Sequence, residues 1–334
     1  MKLLVVFTGL LAVYAATPIF PVPTVPGDNS HYKEGDSRYI WILNGDDEPR
    51  LVDLKEPVDE QILSTRNGAD NEYWLFTRRN PTNAQIIRNG DVNSIKNSNY
   101  NPNTPLNVIV HGWNGNGNIA FNSNVRDAFL TVSDCNVIVV DWRDLANQGY
   151  LTAINGVPSV GQHIGDFLQW LITNGGGNWN IIHLVGYSLG AHVVGNAGRQ
   201  SGSRVSRITG LDPAGPLWVG NRNALRDNDG QYVEAIHTDG GLQGIMNAIG
   251  RSNFYPNGGR NQPGCTSSAC NHSRAHELFA ATVRYNHLVG RRCTNIQQAE
   301  NQQCTGATMD MGNVILSKRG EGIFGLTTGA SWPF

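Results

Sequence analysis

Short apolar runs alternate with helical stretches in the chain from residue 106 onward. Such runs, rich in Val, Ile and Leu and bounded by polar or small residues, are typical of strands that are buried on both faces. The predicted strands are Leu106–Val110, Val137–Val140, Ile181–Val185 and Val205–Leu211, with Tyr73–Thr77 as a further candidate upstream.

Helical patterns separate these strands. Apolar residues recur at intervals of three and four at Val160, Ile164, Phe167, Leu168 and Leu171. The segments 125–132 and 191–198 predict further helices. No low-complexity linker and no internal repeat interrupts this part of the chain. Strand–helix–strand repetition of this kind predicts one α/β domain, with a mostly parallel central sheet flanked by helices.

The N-terminus has the pattern of an export signal. Lys2 precedes an apolar run that extends to Ala16, and small residues around Ala15 suit a signal peptidase. The run is too short to span a membrane, and prolines follow from Pro18 onward. We therefore expect residues 1–15 to be a signal peptide and the protein to be secreted. Residues 16–50 are expected to form an N-terminal arm or pro-segment, and residues 51–334 the α/β domain.

Composition and charge exclude several classes of protein. The 334 residues include 39 Gly and 15 Pro, which excludes a coiled coil. Hydrophobic residues make up 40% and charged residues 16%, a balance that supports a large core and excludes a disordered chain. Because 25 Lys and Arg nearly balance 27 Asp and Glu, no nucleic-acid partner is expected.

Five cysteines in an exported chain need an account. Cys265 and Cys270 are close enough in sequence to close a small loop, as are Cys293 and Cys304. Cys135 stands at the head of an apolar strand. We interpret it as a buried core residue rather than a catalytic or metal-binding one.

A candidate nucleophile lies between a predicted strand and a predicted helix. Gly186-Tyr-Ser-Leu-Gly190 has the G-x-S-x-G pattern, which is weak alone but specific in this strand–turn–helix setting. The glycines allow the sharp turn that exposes the hydroxyl at the N-terminus of a helix. The pattern therefore predicts that Ser188 is a nucleophile.

A nucleophilic serine needs a base, and the base needs an acid to orient it. Asp212 follows the next predicted strand and therefore lies on the same rim of a parallel sheet. Asp239 is the alternative acid. The histidines that follow Asp212 in the chain are His237, His272, His276 and His287.

Six motifs follow one another in order. They are His111–Trp113, Gly186–His192, Gly210–Pro216, His237–Gly240, Phe254–Gly259 and Cys270–Ala275. This set resembles the motifs of the pancreatic lipase family, which includes insect gut lipases and phospholipases A1, and the resemblance runs from about residue 70 to the end. It implies the α/β-hydrolase fold for residues 51–334. It also implies a secreted serine esterase that hydrolyses acyl esters of glycerolipids, closest in features to insect neutral lipases and phospholipases A1.

The resemblance implies a role for each matching residue. Ser188 is expected to be the nucleophile, Asp212 the acid and His272 the base, with the backbone N–H groups of Trp113 and Leu189 forming the oxyanion hole. The disulfides implied are Cys265–Cys270 and Cys293–Cys304. The other histidines, His111, His183, His192, His237, His276 and His287, are interpreted as structural. No metal and no cofactor are expected.

Departures from the family narrow the expected substrate. Only residues 266–269 separate Cys265 from Cys270, where lid-bearing lipases carry a long amphipathic flap. We therefore expect no interfacial activation, and features nearer to phospholipases A1 than to strict triacylglycerol lipases, although either substrate class remains open. A lipid at a micelle, emulsion or membrane surface is the expected partner, and colipase is not. The competing hypothesis is a non-catalytic lipid-binding or yolk-type storage protein of the same fold. Such relatives lose the catalytic Ser or His, which this chain keeps.

Overall fold

The computed structural model describes residues 22–334, so the signal peptide predicted at residues 1–15 lies outside the described residues. The strands are β1 (Tyr39–Leu43), β2 (Pro49–Asp53), β3 (Glu72–Phe76), β4 (Gln85–Ile87), β5 (Leu106–Val110), β6 (Asn136–Asp141), β7 (Ile182–Tyr187), β8 (Arg207–Leu211), β9 (Val233–Ile236), β10 (Ser252–Pro256), β11 (Val289–Cys293), β12 (Thr308–Asp310) and β13 (Gly322–Leu326). The helices are α1 (Glu60–Thr65), α2 (Val92–Lys96), α3 (Ala120–Val132), α4 (Arg143–Ala146), α5 (Tyr150–Gly175), α6 (Leu189–Gln200), α7 (Ser268–Tyr285) and α8 (Ile296–Glu300).

Eleven of these strands form one sheet within residues 22–334, in the order β12-β11-β13-β10-β9-β8-β7-β5-β6-β3-β4. Neighbouring strands run parallel from β13 to β6, and antiparallel strands extend the sheet at both ends. The predicted fold class, a mostly parallel sheet flanked by helices, is confirmed.

The side chains of the central strands point alternately to the two faces of the sheet and so divide the core into two layers. Val108 and Ile109 are neighbours in β5, yet they belong to different apolar clusters, because successive side chains of a strand point to opposite faces. Helices α5 and α6 pack together in one cluster, and α3 packs on α7 in the other. Both faces of the sheet are therefore covered, as near-continuous apolar strands require.

The predicted strands are present, with shifted ends. β7 continues past Val185 to Tyr187, because it stays paired with β8 as far as Tyr187 and Leu211. β8 begins at Arg207 rather than at the predicted Val205, since the N–H of Ser206 donates to Trp179 outside the ladder. Helix α6 is longer than the predicted segment 191–198 and begins directly after Ser188.

Strands β1 and β2 form a separate antiparallel hairpin ahead of the sheet. The predicted boundary after residue 50 falls inside β2, so the arm continues structurally to Asp53. The hairpin is well packed, because Ile40 and Ile42 are fully buried in the same cluster as α5 and α6. The part of the N-terminal arm that the structure describes is therefore not loosely packed.

Both expected disulfides are formed, Cys265–Cys270 and Cys293–Cys304. Cys135 is free and buried immediately before β6, as its place in the sequence predicts. Among residues 22–334, every helix is too short or too polar to cross a membrane.

Candidate active site

Ser188 occupies the turn that joins β7 to α6. Its φ of 56° and ψ of −122° are unusual for a residue with a side chain, and such strain marks functional turns. A Cβ on Gly186 would lie 2.1 Å from the carbonyl oxygen of Gly190, and one on Gly190 would lie 2.1 Å from that of Val110. Gly186 is therefore needed for the chain to turn this tightly, and Gly190 for α6 to start this close to the end of β5, which is the geometry of a nucleophile elbow.

A hydrogen-bonded carboxylate and imidazole lie at the same rim of the sheet. Asp212 follows β8, and its Oδ1 accepts from the backbone N–H groups of Thr238 at 2.7 Å and Asp239 at 3.1 Å. Its Oδ2 lies 2.6 Å from Nδ1 of His272, in the second turn of α7. Since an ionised carboxylate only accepts, Nδ1 carries the proton and Nε2 is left to accept one.

Asp239, the alternative acid, is hydrogen-bonded to groups other than His272. Its Oδ2 accepts from the hydroxyl of Ser268 at 2.5 Å and from the N–H of Gln243 at 3.1 Å. Burial, together with the negative charge of Asp212, raises the pKa of Asp239 well above its ordinary value. Since the hydrogen bond to Nδ1 involves Asp212 and not Asp239, the carboxylate that partners His272 is Asp212.

The structure brings Ser188 and His272 to one small cavity, whose lining also includes Trp113, Tyr187 and His276. The ring of Tyr187 packs 4.8 Å from that of His272, between centroids, and fixes its orientation. Within the described residues no direct hydrogen bond joins Ser188 to His272. Catalytic hydrogen bonds of this kind are often long until a substrate binds.

Two backbone N–H groups are positioned to receive a negative oxygen. Leu189 opens α6, so its N–H has no partner inside the helix, and Trp113 follows Gly112 beside the elbow. Neither N–H donates to another group among residues 22–334. The side chain of Trp113 anchors its loop by donating from Nε1 to the carbonyl of Gln148 at 2.9 Å. The two predicted oxyanion residues therefore offer free donors.

His111 braces the loop that carries Trp113. Its Nδ1 lies 2.9 Å from the carbonyl of Gly112, and its Nε2 lies 3.5 Å from Asp141. Burial alone would raise the pKa of Asp141, but hydrogen bonds and charge from His111 and Arg143 outweigh it and hold that pKa below its usual range. Asp141 also accepts from the N–H of Gly117 at 2.8 Å. These buried contacts fix the loop that carries Trp113.

The other histidines fall into two groups. His183, His192 and His237 are fully buried and hydrogen-bonded to Thr209, Ala214 and Ile245 respectively, which fits their structural interpretation. His276 lies one turn after His272 and lines the cavity, a position that its predicted place on a helix face did not reveal.

A second set of cavity residues was not predicted. Leu43, Asn44, Gly45 and Asp47, from the tip of the N-terminal hairpin, line the cavity together with Ser188. A signal for this hairpin exists in the sequence, because five strand-forming residues, Tyr39–Leu43, directly precede an Asn-Gly turn pair. Among the described residues, no group of three or more His, Cys, Asp or Glu side chains could hold a metal ion.

Comparison with known proteins identifies the family. A family model described as Lipase matches residues 37–334. The chain belongs to the Lipase family. Human pancreatic lipase-related protein 2 is 30% identical over 287 residues, which cover 78% of this chain and 61% of the relative. Human pancreatic triacylglycerol lipase is 32% identical over 265 residues, covering 71% of this chain and 57% of the relative.

These findings confirm the resemblance inferred from the six motifs. This Lipase family chain spans about six tenths of the length of the relatives that it matches. Among solved structures, Est1E from Butyrivibrio proteoclasticus matches 43% of this chain at 14% identity, with a TM-score of 0.30, and 46% of Est1E is covered. The strand order and the elbow, rather than this partial likeness, identify the α/β-hydrolase fold.

The buried histidines of this Lipase family protein predict sensitivity to acid. Burial lowers the pKa of His192 to about 3, and burial with the charge of His272 lowers that of His276 to about 3, from 6.5. Between pH 3 and pH 6.5 these two histidines bind protons in the unfolded chain but not in the folded protein. The free energy of unfolding should therefore fall as pH drops from 6.5 towards 3, by up to about 1.4 kcal/mol per pH unit for each residue.

Thermal unfolding midpoints measured from pH 7 down to pH 4.5 check this prediction. The variant His276→Phe, which cannot take up the proton, should lose stability with acid less steeply than the native protein. Identical slopes for the two proteins would show that His276 is not buried in its neutral form.

Proposed function

We propose that the protein is a secreted serine esterase that hydrolyses acyl ester bonds of glycerolipids, in digestive lipid breakdown. The observation that carries the proposal is the set of Ser188 on a strained elbow, His272 beside Asp212, and two free backbone donors at Trp113 and Leu189. Membership of the Lipase family supports the ester chemistry. The export signal predicted at residues 1–15 and the two disulfides support secretion.

Each residue has one task in this mechanism. His272 takes the proton of the Ser188 hydroxyl at Nε2 as the oxygen attacks the ester carbonyl, and Asp212 stabilises the imidazolium. The N–H groups of Trp113 and Leu189 bind the oxyanion of the tetrahedral intermediate, each worth about 2.7–4 kcal/mol. The intermediate collapses when His272 returns the proton to the departing alcohol. Water, activated by the same imidazole, then releases the fatty acid from Ser188.

The segment between Cys265 and Cys270 bears on the substrate. It contains the N-cap Ser267 and the start of α7, so it forms part of the helix that carries His272 and adds no separate flap. This favours a lipase-type site without the long lid of strict triacylglycerol lipases, as in phospholipases A1. We propose both phospholipids or galactolipids and neutral acylglycerols as candidate substrates.

Fatty-acid release tests the proposal. The protein is assayed on triolein emulsion and on phosphatidylcholine and galactolipid vesicles, each beside the Ser188→Ala variant. We expect the native protein, but not the variant, to release fatty acid from at least one lipid class. The lipid class that is hydrolysed faster identifies the substrate. If no lipid class yields fatty acid above the Ser188→Ala level, the proposed function is wrong.

Gly244 offers a test of how Asp212 is positioned. A Cβ on Gly244 would lie 2.3 Å and 2.4 Å from the two carboxylate oxygens of Asp212. Gly244→Ala should therefore push the carboxylate away from His272 and lower kcat about 100-fold, since misplacement by about 1 Å has that effect. The KM for ester should change little, because Gly244 is not proposed to bind substrate. Unchanged kcat in the variant would show that the carboxylate position is not critical.

A further inference from the structure

The N-terminal hairpin, residues 39–53, closes the catalytic cavity. Four residues at its tip, Leu43, Asn44, Gly45 and Asp47, line that cavity together with Ser188 and His272. The space left is about 10 Å³, about enough for a single water molecule. Ser188 is 6% exposed and His272 1% exposed. In this arrangement no acyl ester can reach the nucleophile.

Polar contacts hold the hairpin against each catalytic loop. The N–H of Gly45 donates to the carbonyl of Asn114, the residue after Trp113, at 2.9 Å. The hydroxyl of Ser273, next to His272, donates to Asp47 at 2.9 Å. The N–H of Leu43 donates to Oε1 of Gln243 at 2.8 Å, and Gln243 precedes Gly244, which touches Asp212. The hairpin is thus hydrogen-bonded to residues that lie next to Trp113, His272 and Asp212.

Apolar side chains of the hairpin fill the space next to these loops. Ile40, Ile42 and Val52 are buried in one cluster with Trp113, Tyr150, Ala214 and Trp218. Ala214 donates its N–H to the carbonyl of Ser188, so this apolar surface begins at the nucleophile. Departure of the hairpin would expose this surface beside Ser188, because Trp113 belongs to the cluster and also lines the cavity. An apolar surface with aromatic side chains is what a groove for a fatty acyl chain requires.

The outer side of the hairpin tip is charged. Asp46, Glu48 and Arg50 are exposed there. A lipid surface would therefore not draw the hairpin open, since charged side chains are costly to place in lipid. Behind the hairpin, Lys55, Pro57 and Asp59 are exposed in a segment without regular structure, which a protease can reach.

We propose that residues 39–53 are an intramolecular inhibitor that occupies the acyl-chain groove until cleavage after the hairpin releases it. The proposal rests on the proposed function, because it assigns that groove to the fatty acyl chain of the ester. It gives the N-terminal arm the role of a pro-segment.

The test uses the full chain with a site-specific protease sequence inserted between Lys55 and Glu56, beside a control in which the inserted sequence is scrambled. Both proteins are treated with the protease, and the freed peptide is removed by chromatography. Hydrolysis of p-nitrophenyl butyrate and p-nitrophenyl palmitate is then measured, together with labelling of Ser188 by a fluorophosphonate. Cleavage should raise the rate at least about 100-fold, as expected when the closed form strongly predominates. A synthetic peptide of residues 22–55 should restore inhibition, and the scrambled control should not respond.

Other outcomes overturn the proposal in separable ways. Equal rates before and after cleavage would show that the hairpin is not an inhibitor, and the proposed function would still stand. Activation of the uncleaved chain by micelles, to the level of the cleaved one, would make the hairpin a lipid-opened flap. Absence of both hydrolysis and labelling in every form would remove the proposed function itself.

A point variant provides an independent check in the uncleaved chain. Asp47→Ala removes the hydrogen bond from Ser273, whereas Asp46→Ala changes an exposed neighbour in the same turn. Loss of one hydrogen bond should raise the small open population, and hence the basal rate, by about fivefold. Asp46→Ala should leave the rate unchanged. Equal rates in the two variants would contradict the closing role of Asp47.

Discussion

Replacement of Ser188 by Ala in the protein freed of its hairpin is expected to lower kcat for ester hydrolysis about a million-fold. The variant keeps the oxyanion donors and the groove but has no oxygen that can form the acyl-enzyme. Residual turnover should exceed the rate in water, because the N–H groups of Trp113 and Leu189 remain. Initial rates on p-nitrophenyl butyrate measure the loss.

Ser64→Ala is the matched control, because Ser64 is exposed in α1, away from the cavity. This variant should retain the native rate. The thermal unfolding midpoints of both variants should show that each one folds. If Ser188→Ala kept even one hundredth of the native kcat, the nucleophile would have to be another residue.

Asp212→Asn is expected to lower kcat about 10⁴-fold. Its Oδ1 can still accept from Thr238 and Asp239, which directs the new amide N–H₂ toward His272. That donor would force the imidazole into the other tautomer, with a proton on Nε2, where the base must accept one. Single-turnover acylation by p-nitrophenyl butyrate measures the loss directly.

Asp239→Asn is the paired comparison. Asp239 accepts from Ser268 and Gln243 and makes no hydrogen bond to His272. An amide of the same shape should therefore change kcat less than about tenfold, since the group does not stabilise the imidazolium directly. A larger loss in Asp239→Asn than in Asp212→Asn would reverse the assignment of the acid.

The parts of the fold predicted from sequence are those that local patterns specify. Leu106–Val110 coincides with β5 because a short run with four apolar residues, bounded by polar segments, is typical of a strand in the middle of a covered sheet. The elbow at Ser188 was predictable for a similar reason, since the G-x-S-x-G pattern is local and Gly186 is required by its approach to Gly190, four residues on. The ends of β7 and β8 were not, because strand pairing and a contact with Trp179 decide them.

The choice between two acids depends on tertiary structure. Asp212 and Asp239 both follow strands of the sheet and both lie near the site, so the sequence left Asp239 open as an alternative. Their difference arises from partners contributed by α7: His272 reaches Asp212, and Ser268 reaches Asp239. Contacts between such distant segments leave no periodic pattern in either one.

The hairpin over the cavity was missed for two reasons. The Pro- and Gly-containing stretch before Tyr39 obscures the short run of β1, and residues 44–48 form a longer connection than the two-residue turn that an Asn-Gly pair indicates. Its position over Ser188 could not be predicted in any case, because it depends on bonds to Asn114, Gln243 and Ser273, far along the chain. The short segment at residues 266–269 predicted no long flap at that position, and the structure covers the cleft instead from the N-terminal side.

Ser188 as the activated nucleophile is tested most directly by covalent labelling. The folded protein, both intact and cleaved after the hairpin, is incubated with a fluorophosphonate and digested, and the adduct is located by mass spectrometry. We expect one adduct, on Ser188, formed faster in the cleaved protein and abolished by His272→Ala. Folded protein that carries no adduct on Ser188 in either form would contradict the assignment of Ser188, His272 and Asp212 as a catalytic triad.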